Sequence, residues 1–335
     1  DLMRFVGTSD RNFYDRYYFN LHSSSDELFM VMGMGQYPTL DVQDAFVVVR
    51  RGDKHHVVRG SRELGHDRMD TSVGPIRIEV IKGLEKVRFI VEERPDQPLA
   101  MDVTWEGAMP AYQEPRHYIR KHGRVLFDSM RFAQTGCWTG KLRSRDRSWG
   151  IRPVGEFEPP GVHAGTPIME GMWNYAPMQF DDFSILYIVN EHNDGQRVLE
   201  DAVRVWKDPA RETEWLGRPE HDHHLVVAKP YQSFIDRSVI RFPEAPGGPL
   251  EVAVTPLTHL WVMVGTGYGL EPDWKHGMYK GKEVVEHFSL DLEQDKERMF
   301  GLVDNAARFE LSSGEVGYGL FEYCFFGNFD RYGVA

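Results

Sequence analysis

The residues that could do chemistry fall into a few groups. Arg145-Asp146-Arg147-Ser148-Trp149-Gly150-Ile151-Arg152 packs three arginines, one carboxylate and one indole into eight positions. An arginine beside an aspartate keeps that carboxylate ionised, and a neighbouring indole offers a flat wall for a ring or a guanidinium. The block therefore reads either as an ion-pair clasp between domains or as a holder for a catalytic Asp146. In the second reading Arg147 and Arg152 steady developing negative charge. The run Asn12-Phe13-Tyr14-Asp15-Arg16-Tyr17-Tyr18-Phe19-Asn20-Leu21-His22 is dense in aromatics with polar atoms between them. In unbroken extended chain Tyr14, Tyr18, Asn20 and His22 share one face, suited to lining a cavity or to an aromatic core strand. Met172-Trp173-Asn174-Tyr175-Ala176-Pro177-Met178-Gln179-Phe180-Asp181-Asp182 has the same texture. One of its paired carboxylates at most points inward, and an inward Asp182 among rings would have the raised pKa of a general acid. Against that, Asp-Asp before a strand also suits a solvated turn.

His221-Asp222-His223-His224 is the only local cluster with metal-ligand chemistry. His221 and His223 would share a strand face with His224 opposite, and a metal would need a third ligand from elsewhere. The preceding Gly217-Arg218-Pro219-Glu220 favours an exposed histidine-rich loop, so no metal is assigned. Gly265-Thr266-Gly267-Tyr268-Gly269 and Gly33-Met34-Gly35 lack the spacing and following helix of a dinucleotide loop. There is no Walker loop, nucleophile elbow or His-Glu-x-x-His helix, and no organic cofactor is expected.

The elements that must position these groups are strands. Phe46-Val47-Val48-Val49-Arg50, Ile76-Arg77-Ile78-Glu79-Val80-Ile81, Val87-Arg88-Phe89-Ile90-Val91 and Met101-Asp102-Val103-Thr104-Trp105-Glu106 alternate or run apolar between turn signals. Phe183-Ser184-Ile185-Leu186-Tyr187-Ile188-Val189, turned at Asn193-Asp194-Gly195, repeats the texture in the second half. Strands recur about every ten residues, the rhythm of an antiparallel barrel or sandwich. Only residues 292–300 and 109–118 tempt toward helix. The segment 145–173, with Pro153, Pro159, Pro160 and Pro167 and no clean strand, is a linker candidate. The expected organisation is a β domain over 1–150, a linker and cleft wall over 151–172, and a second β domain over 173–335.

The 335 residues are 41% hydrophobic, 27% charged and 13% aromatic, a globular balance rich in rings. The net charge of -12 argues against a nucleic-acid partner. Cys137 and Cys324 make no disulfide framework and are expected as two buried free thiols. No apolar run reaches membrane-spanning length, and the opening Asp1-Leu2-Met3-Arg4-Phe5 carries no secretory signal. A cytoplasmic protein, open to homodimerisation, is the expectation.

The aromatic N-terminal strand with Tyr37-Pro38 beyond it, the Arg-Asp-Arg-Ser-Trp-Gly block and Trp274-Lys275-His276-Gly277 together resemble a known superfamily. It comprises carotenoid 1,2-hydratases, AttH-like proteins and lipocalin-like pericyclases. The resemblance implies a mainly β fold of two lipocalin-like barrels side by side, with a hydrophobic ligand in a barrel or at their junction. It also implies cofactor-independent acid/base or shape-based catalysis on apolar substrates. From residues and resemblance together, the expected function is a lyase, hydratase or isomerase acting on a hydrophobic or aromatic small molecule. Asp146, His22 or Asp182 would move the proton, and Tyr14, Tyr18, Tyr37, Trp149, Trp173 and Tyr175 would hold the substrate. A non-catalytic carrier of a lipid, steroid or aromatic ligand and a metal-dependent enzyme are the alternatives.

Overall fold

The computed structural model describes residues 5–121, 123–144, 147–151, 154–158, 162–164, 171–269 and 271–335. Nearly everything in it is antiparallel β. The first sheet contains β1 (Asp15–His22), β2 (Phe29–Tyr37), β3 (Val42–Arg51) and β4 (Lys54–Glu63), joined as consecutive hairpins. Beyond β1 it continues through Val154–Glu158, Phe132–Ser144, Leu99–Gly107, Lys86–Val91, Ile76–Lys82 and Ser72–Val73. The second sheet has nine strands, in the order Glu214–Trp215, Arg197–Trp206, Phe183–Glu191, Met172–Gln179, Val316–Phe325, Val303–Leu311, Leu250–Trp261, Phe234–Phe242 and Glu220–Val227. Each sheet curls into a half-barrel, as expected of two lipocalin-like β domains. A small third sheet joins His117–Lys121, Arg124–Met130 and Val162–Ala164.

Strand alternation decides what each face touches. On β1, Tyr17, Phe19 and Leu21 enter the core of the first half-barrel with Trp105 and Trp138. On the second sheet, Met172, Ala176, Tyr187, Phe309, Phe321 and Tyr323 fill the other core. The remaining faces meet each other: Tyr18, Phe29, Phe46 and Val57 of the first sheet pack with Trp173, Tyr175, Ile188, Leu260 and Leu320 of the second. This third core, between the sheets, buries the polar positions of β1.

Several expectations change. The segments read as helical hold a single 3-10 turn, Lys296–Arg298, and the two-residue strand Tyr112–Gln113 followed by His117–Lys121. Strand pairing outcompetes the weak local helix preference. The stretch read as having no clean strand supplies Val154–Glu158, which inserts between β1 and Phe132–Ser144. Glu283–Asp291, late in the chain, pairs with β4 along its whole length, so the second half of the sequence finishes the edge of the first sheet. The histidine cluster lies in the strand Glu220–Val227, not in a loop. Cys324 is buried and unbridged, but Cys137 is exposed, because it falls on the outward side of its strand. Among the described residues no helix is long and apolar enough to cross a membrane.

Candidate functional site at the sheet junction

The face that β1 turns toward the second sheet carries Arg16, Tyr18, Asn20 and His22, all buried. Opposite it, Asp304 and Glu322 stand side by side, directly paired across neighbouring strands of the second sheet. Both are almost wholly removed from solvent, at 0% and 8% exposure. The Tyr18 hydroxyl donates to Asp304 Oδ2, and Trp173 Nε1 donates to Glu322 Oε1. The Asp304 carboxyl is close enough to Glu322 to influence its titration. Two carboxylates buried this close together repel each other, which favours a proton on one of them. Burial raises the Glu322 pKa, more than the hydrogen bonds from Trp173 and Asp304 and the charge of Arg131 lower it. Burial thus favours the protonated form of Glu322, while Tyr18 donates to Asp304. Burial and the Asp304 charge hold the Tyr18 hydroxyl protonated, well above the usual phenol range.

Arg131, the cation whose charge reaches Glu322, is itself committed. It grips Glu114 with two hydrogen bonds of 2.7 and 2.9 Å and lies over the Tyr175 ring at 4.4 Å. Burial alone would raise the Glu114 pKa, but Arg131 and His117 overcome it and bring it down to about 2. A cation locked to a different carboxylate thus stands one ring away from the pair.

Two residues along β1, Arg16 centres a second cluster. Its Nη1 donates to His276 Nε2 at 2.8 Å, and Nη2 donates to the Tyr37 hydroxyl and pairs with Asp44 at 3.1 Å. Gly277 N–H donates to the other Asp44 oxygen at 2.8 Å. The guanidinium is boxed by the rings of Tyr268, Tyr14, Tyr37 and Phe46 at 5.1 to 6.0 Å. Burial would lower the Arg16 pKa, yet the phenols of Tyr37 and Tyr268 and the Asp44 carboxylate raise it, so the cation is permanent. Tyr14, Tyr268 and His276 are half-buried, so the cluster reaches the surface on their side.

Glycines make this crowding possible. A Cβ on Gly33 would fall 2.6 Å from Phe46, and one on Gly35 would fall 2.6 Å from the Tyr37 hydroxyl and 2.7 Å from Arg16 Nη2. Gly267, in the left-handed region at φ 94°, lets the loop bring His276 within 4.2 Å of the Tyr268 ring. Gly33, Gly35 and Gly267, from the two segments that failed as nucleotide loops, serve here as bare backbone beside aromatic side chains.

Of the residues proposed from sequence, Tyr18, Trp173 and Tyr175 line the carboxyl pair, and Tyr37 and Tyr14 belong to the arginine cluster. His22 shares the β1 face, but it accepts from Ser24 N–H at 3.2 Å and burial lowers its pKa to about 4, leaving it neutral. Asp182 is exposed in the turn before Phe183–Glu191, where its carbonyl accepts from Lys207 N–H, and it does not enter the junction. Asp146 and Arg152 lie outside the described residues. Arg147 and Trp149 fall in the strand Arg147–Ile151, which pairs with Phe132–Ser144. Asp304, Glu322, Arg16, Asp44 and His276 are additions of the structure, although Arg16 and His276 stand in stretches the sequence had marked. No group of three or more His, Cys, Asp or Glu side chains among the described residues could hold a metal ion.

A two-sheet β protein with polar clusters at the sheet junction matches solved structures across most of its length. An AttH-assigned protein from Nitrosomonas europaea superposes with a TM-score of 0.60 at 11% identity, covering 93% of this chain and 92% of that one. Kievitone hydratase from Nectria haematococca gives 0.53 at 11% identity, covering 93% and 89%. CghA gives 0.51 at 10% identity, covering 94% and 89%. The fold is therefore shared with these three proteins, an AttH-assigned protein among them, in line with what the sequence resemblance implied. The chain belongs to the family of unknown function DUF8625, whose model matches residues 2–335. No curated protein matches it in sequence.

Proposed function

We propose that this protein is a lyase of the hydratase kind, adding water to, or removing it from, a hydrophobic or aromatic small molecule by acid/base catalysis without an organic cofactor. The observation that carries the reading is the Asp304–Glu322 pair: two buried carboxyl groups side by side, beside the rings of Tyr18, Trp173 and Tyr175. Like carboxyls held together with their pKa values pushed apart are an acid and a base in one place. A fold shared with a protein named as a hydratase supports the same class.

In hydration the Glu322 carboxyl gives its proton to one carbon of a carbon–carbon double bond. Positive charge develops on the neighbouring carbon, where the adjacent rings and the Asp304 carboxylate steady it. Water adds there and releases its proton to Asp304, so the pair ends with one proton again, now on the other carboxyl. Dehydration runs the same steps backward. Tyr18, which donates to Asp304, fixes the orientation of the base.

The test uses a panel of unsaturated aromatic and isoprenoid alcohols and alkenes, first selected by thermal shift and then incubated with the protein in heavy water. Turnover shows as the gain or loss of one water by mass spectrometry, with deuterium at the protonated carbon, and Glu322→Gln abolishes both. A ligand that binds tightly at the junction and is returned chemically unchanged, with no deuterium, would make the protein a carrier instead.

A further inference from the structure

The histidines singled out in the sequence have no part in the junction, because they point the other way, into the second half-barrel. His221 and His223 stack at 4.6 Å with 12° between their planes. His223 meets Phe321 edge-on at 6.0 Å, and Phe321 lies 5.6 Å from Tyr323. Tyr187, on the facing wall, packs against Phe242 at 6.3 Å. This interior is lined with rings, yet it is also studded with polar atoms that have nothing to bond.

Four side chains at 4% exposure or less each leave one atom unsatisfied: the Tyr187 hydroxyl, His223 Nε2, Asn174 Oδ1 and Asn305 Oδ1. The orientation of both amides is fixed, since Asn174 Nδ2 donates to the Glu322 carbonyl at 2.7 Å and Asn305 Nδ2 to the Phe321 carbonyl at 2.9 Å. A carbonyl accepts only, so the nitrogens must face it and the two amide oxygens are left over. His223 Nδ1 is engaged by Ser238 at 2.7 Å, which leaves Nε2 as its free end. The four share the inward face: Asn174 lies beside Tyr323 across one strand pair and Asn305 beside Phe321 across the next. Each such orphan costs about 1–3 kcal/mol, and folded proteins leave few of them. What sets these four apart from the other unpaired atoms of the chain is that they share one ring-lined face, where a single bonding partner could serve them together.

Charged groups stand at one end of this interior: Arg197 Nε holds Glu191 at 2.8 Å, Arg331 donates to the His221 carbonyl at 2.5 Å, and His221, engaged by the Tyr332 hydroxyl at 2.7 Å, is kept neutral by burial.

We propose that the second half-barrel binds a small molecule carrying two or more hydroxyl or N–H donors on a flat unsaturated ring, held by Tyr187, His223, Asn174 and Asn305. The two amide oxygens take its donors, Tyr187 and His223 bond its remaining polar atom, and the rings of Phe321, Tyr323 and Phe242 cover its faces. This site is separate from the carboxyl pair, which lies on the opposite face of the same sheet.

Catechol is the probe. Titrated at millimolar concentration into the full chain, it should shift the side-chain resonances of His223 saturably. Tyr187→Phe, which removes one unpaired hydroxyl and little else, should keep or raise the melting temperature and weaken catechol binding about tenfold, the worth of one hydrogen bond. His223→Gln serves the same comparison should Tyr187→Phe fail to fold. Glu322→Gln, at the junction, should leave catechol binding unchanged. The proposal is overturned if no saturable shift occurs, if catechol binds both barrel variants as it binds the wild type, or if binding is lost in Glu322→Gln. It is likewise overturned if a crystal soaked with catechol shows only ordered waters capping the four groups.

Discussion

Glu322→Gln separates the shared-proton account from an ordinary buried ion pair. The amide keeps the shape, still accepts from Trp173 Nε1 and can still donate to Asp304, so below pH 4.5 the variant should match the wild type in stability. Above it the curves should part. Glu322 has its pKa raised by burial, so the unfolded chain releases this proton at an ordinary glutamate pH while the folded chain retains it. Folded stability is then complete below about pH 4.5 and falls as pH rises toward the raised value, by about 1.4 kcal/mol for each pH unit of the shift. The amide of the variant has no proton to release, so the wild type should lose stability relative to the variant across that window, whatever other groups do in both. Urea denaturation of both proteins at closely spaced pH values from 4 to 8 reads the difference directly. Activity should move the opposite way, falling roughly a hundredfold to ten-thousandfold in the more stable variant. Curves that run parallel, the variant neither gaining nor losing on the wild type with pH, would refute the raised pKa and with it the acid assigned to Glu322.

Other expectations concern the groups around the pair. Arg16→Met leaves the buried Asp44 without its cation and should cost about 3–5 kcal/mol in urea denaturation, while Tyr14→Phe at the rim of the same cluster should cost well under 1 kcal/mol. Glu114, with its pKa brought down to about 2, contributes stability above pH 4.5 that is lost as pH falls toward 2, about 3 kcal/mol in all. Acid unfolding should accordingly be steeper in the wild type than in Glu114→Gln. Gly33→Ala places a methyl 2.6 Å from Phe46 and 3.0 Å from the Tyr17 carbonyl, and should lower stability by about 1–3 kcal/mol through overpacking, as read by thermal melting.

The alternation of short strands made the two-sheet β architecture legible, and aromatic density marked Tyr18, Tyr37, Trp173 and Tyr175. The acids were not legible for a physical reason. Period-two alternation distinguishes one face of a strand from the other but does not say what covers each face. In Val303–Leu311 and Val316–Phe325, Asp304 and Glu322 are charged positions on the side away from the half-barrel core, yet that side is covered by the first sheet. Their adjacency is also a matter of register between strands, which spacing along the chain does not disclose. The same ambiguity worked in reverse for His221 and His223, where a turn-rich approach suggested solvent and the strand carried both rings inward. Asp182 shows the converse: a carboxylate beside aromatic residues in sequence is left outside when the chain turns at that point. His276 and Gly277 were visible only through resemblance, because a loop of left-handed glycines, not a periodic element, delivers them to Arg16.

The central claim is that Asp304 and Glu322 hold a single proton between them at neutral pH, and infrared titration of the protein with carbon-13-labelled glutamate observes it most directly. The account predicts an isotope-shifted carbonyl band of a protonated carboxyl that persists through pH 7 in the wild type and disappears in Glu322→Gln. A glutamate signal wholly ionised at pH 6, the same in wild type and variant, would contradict it.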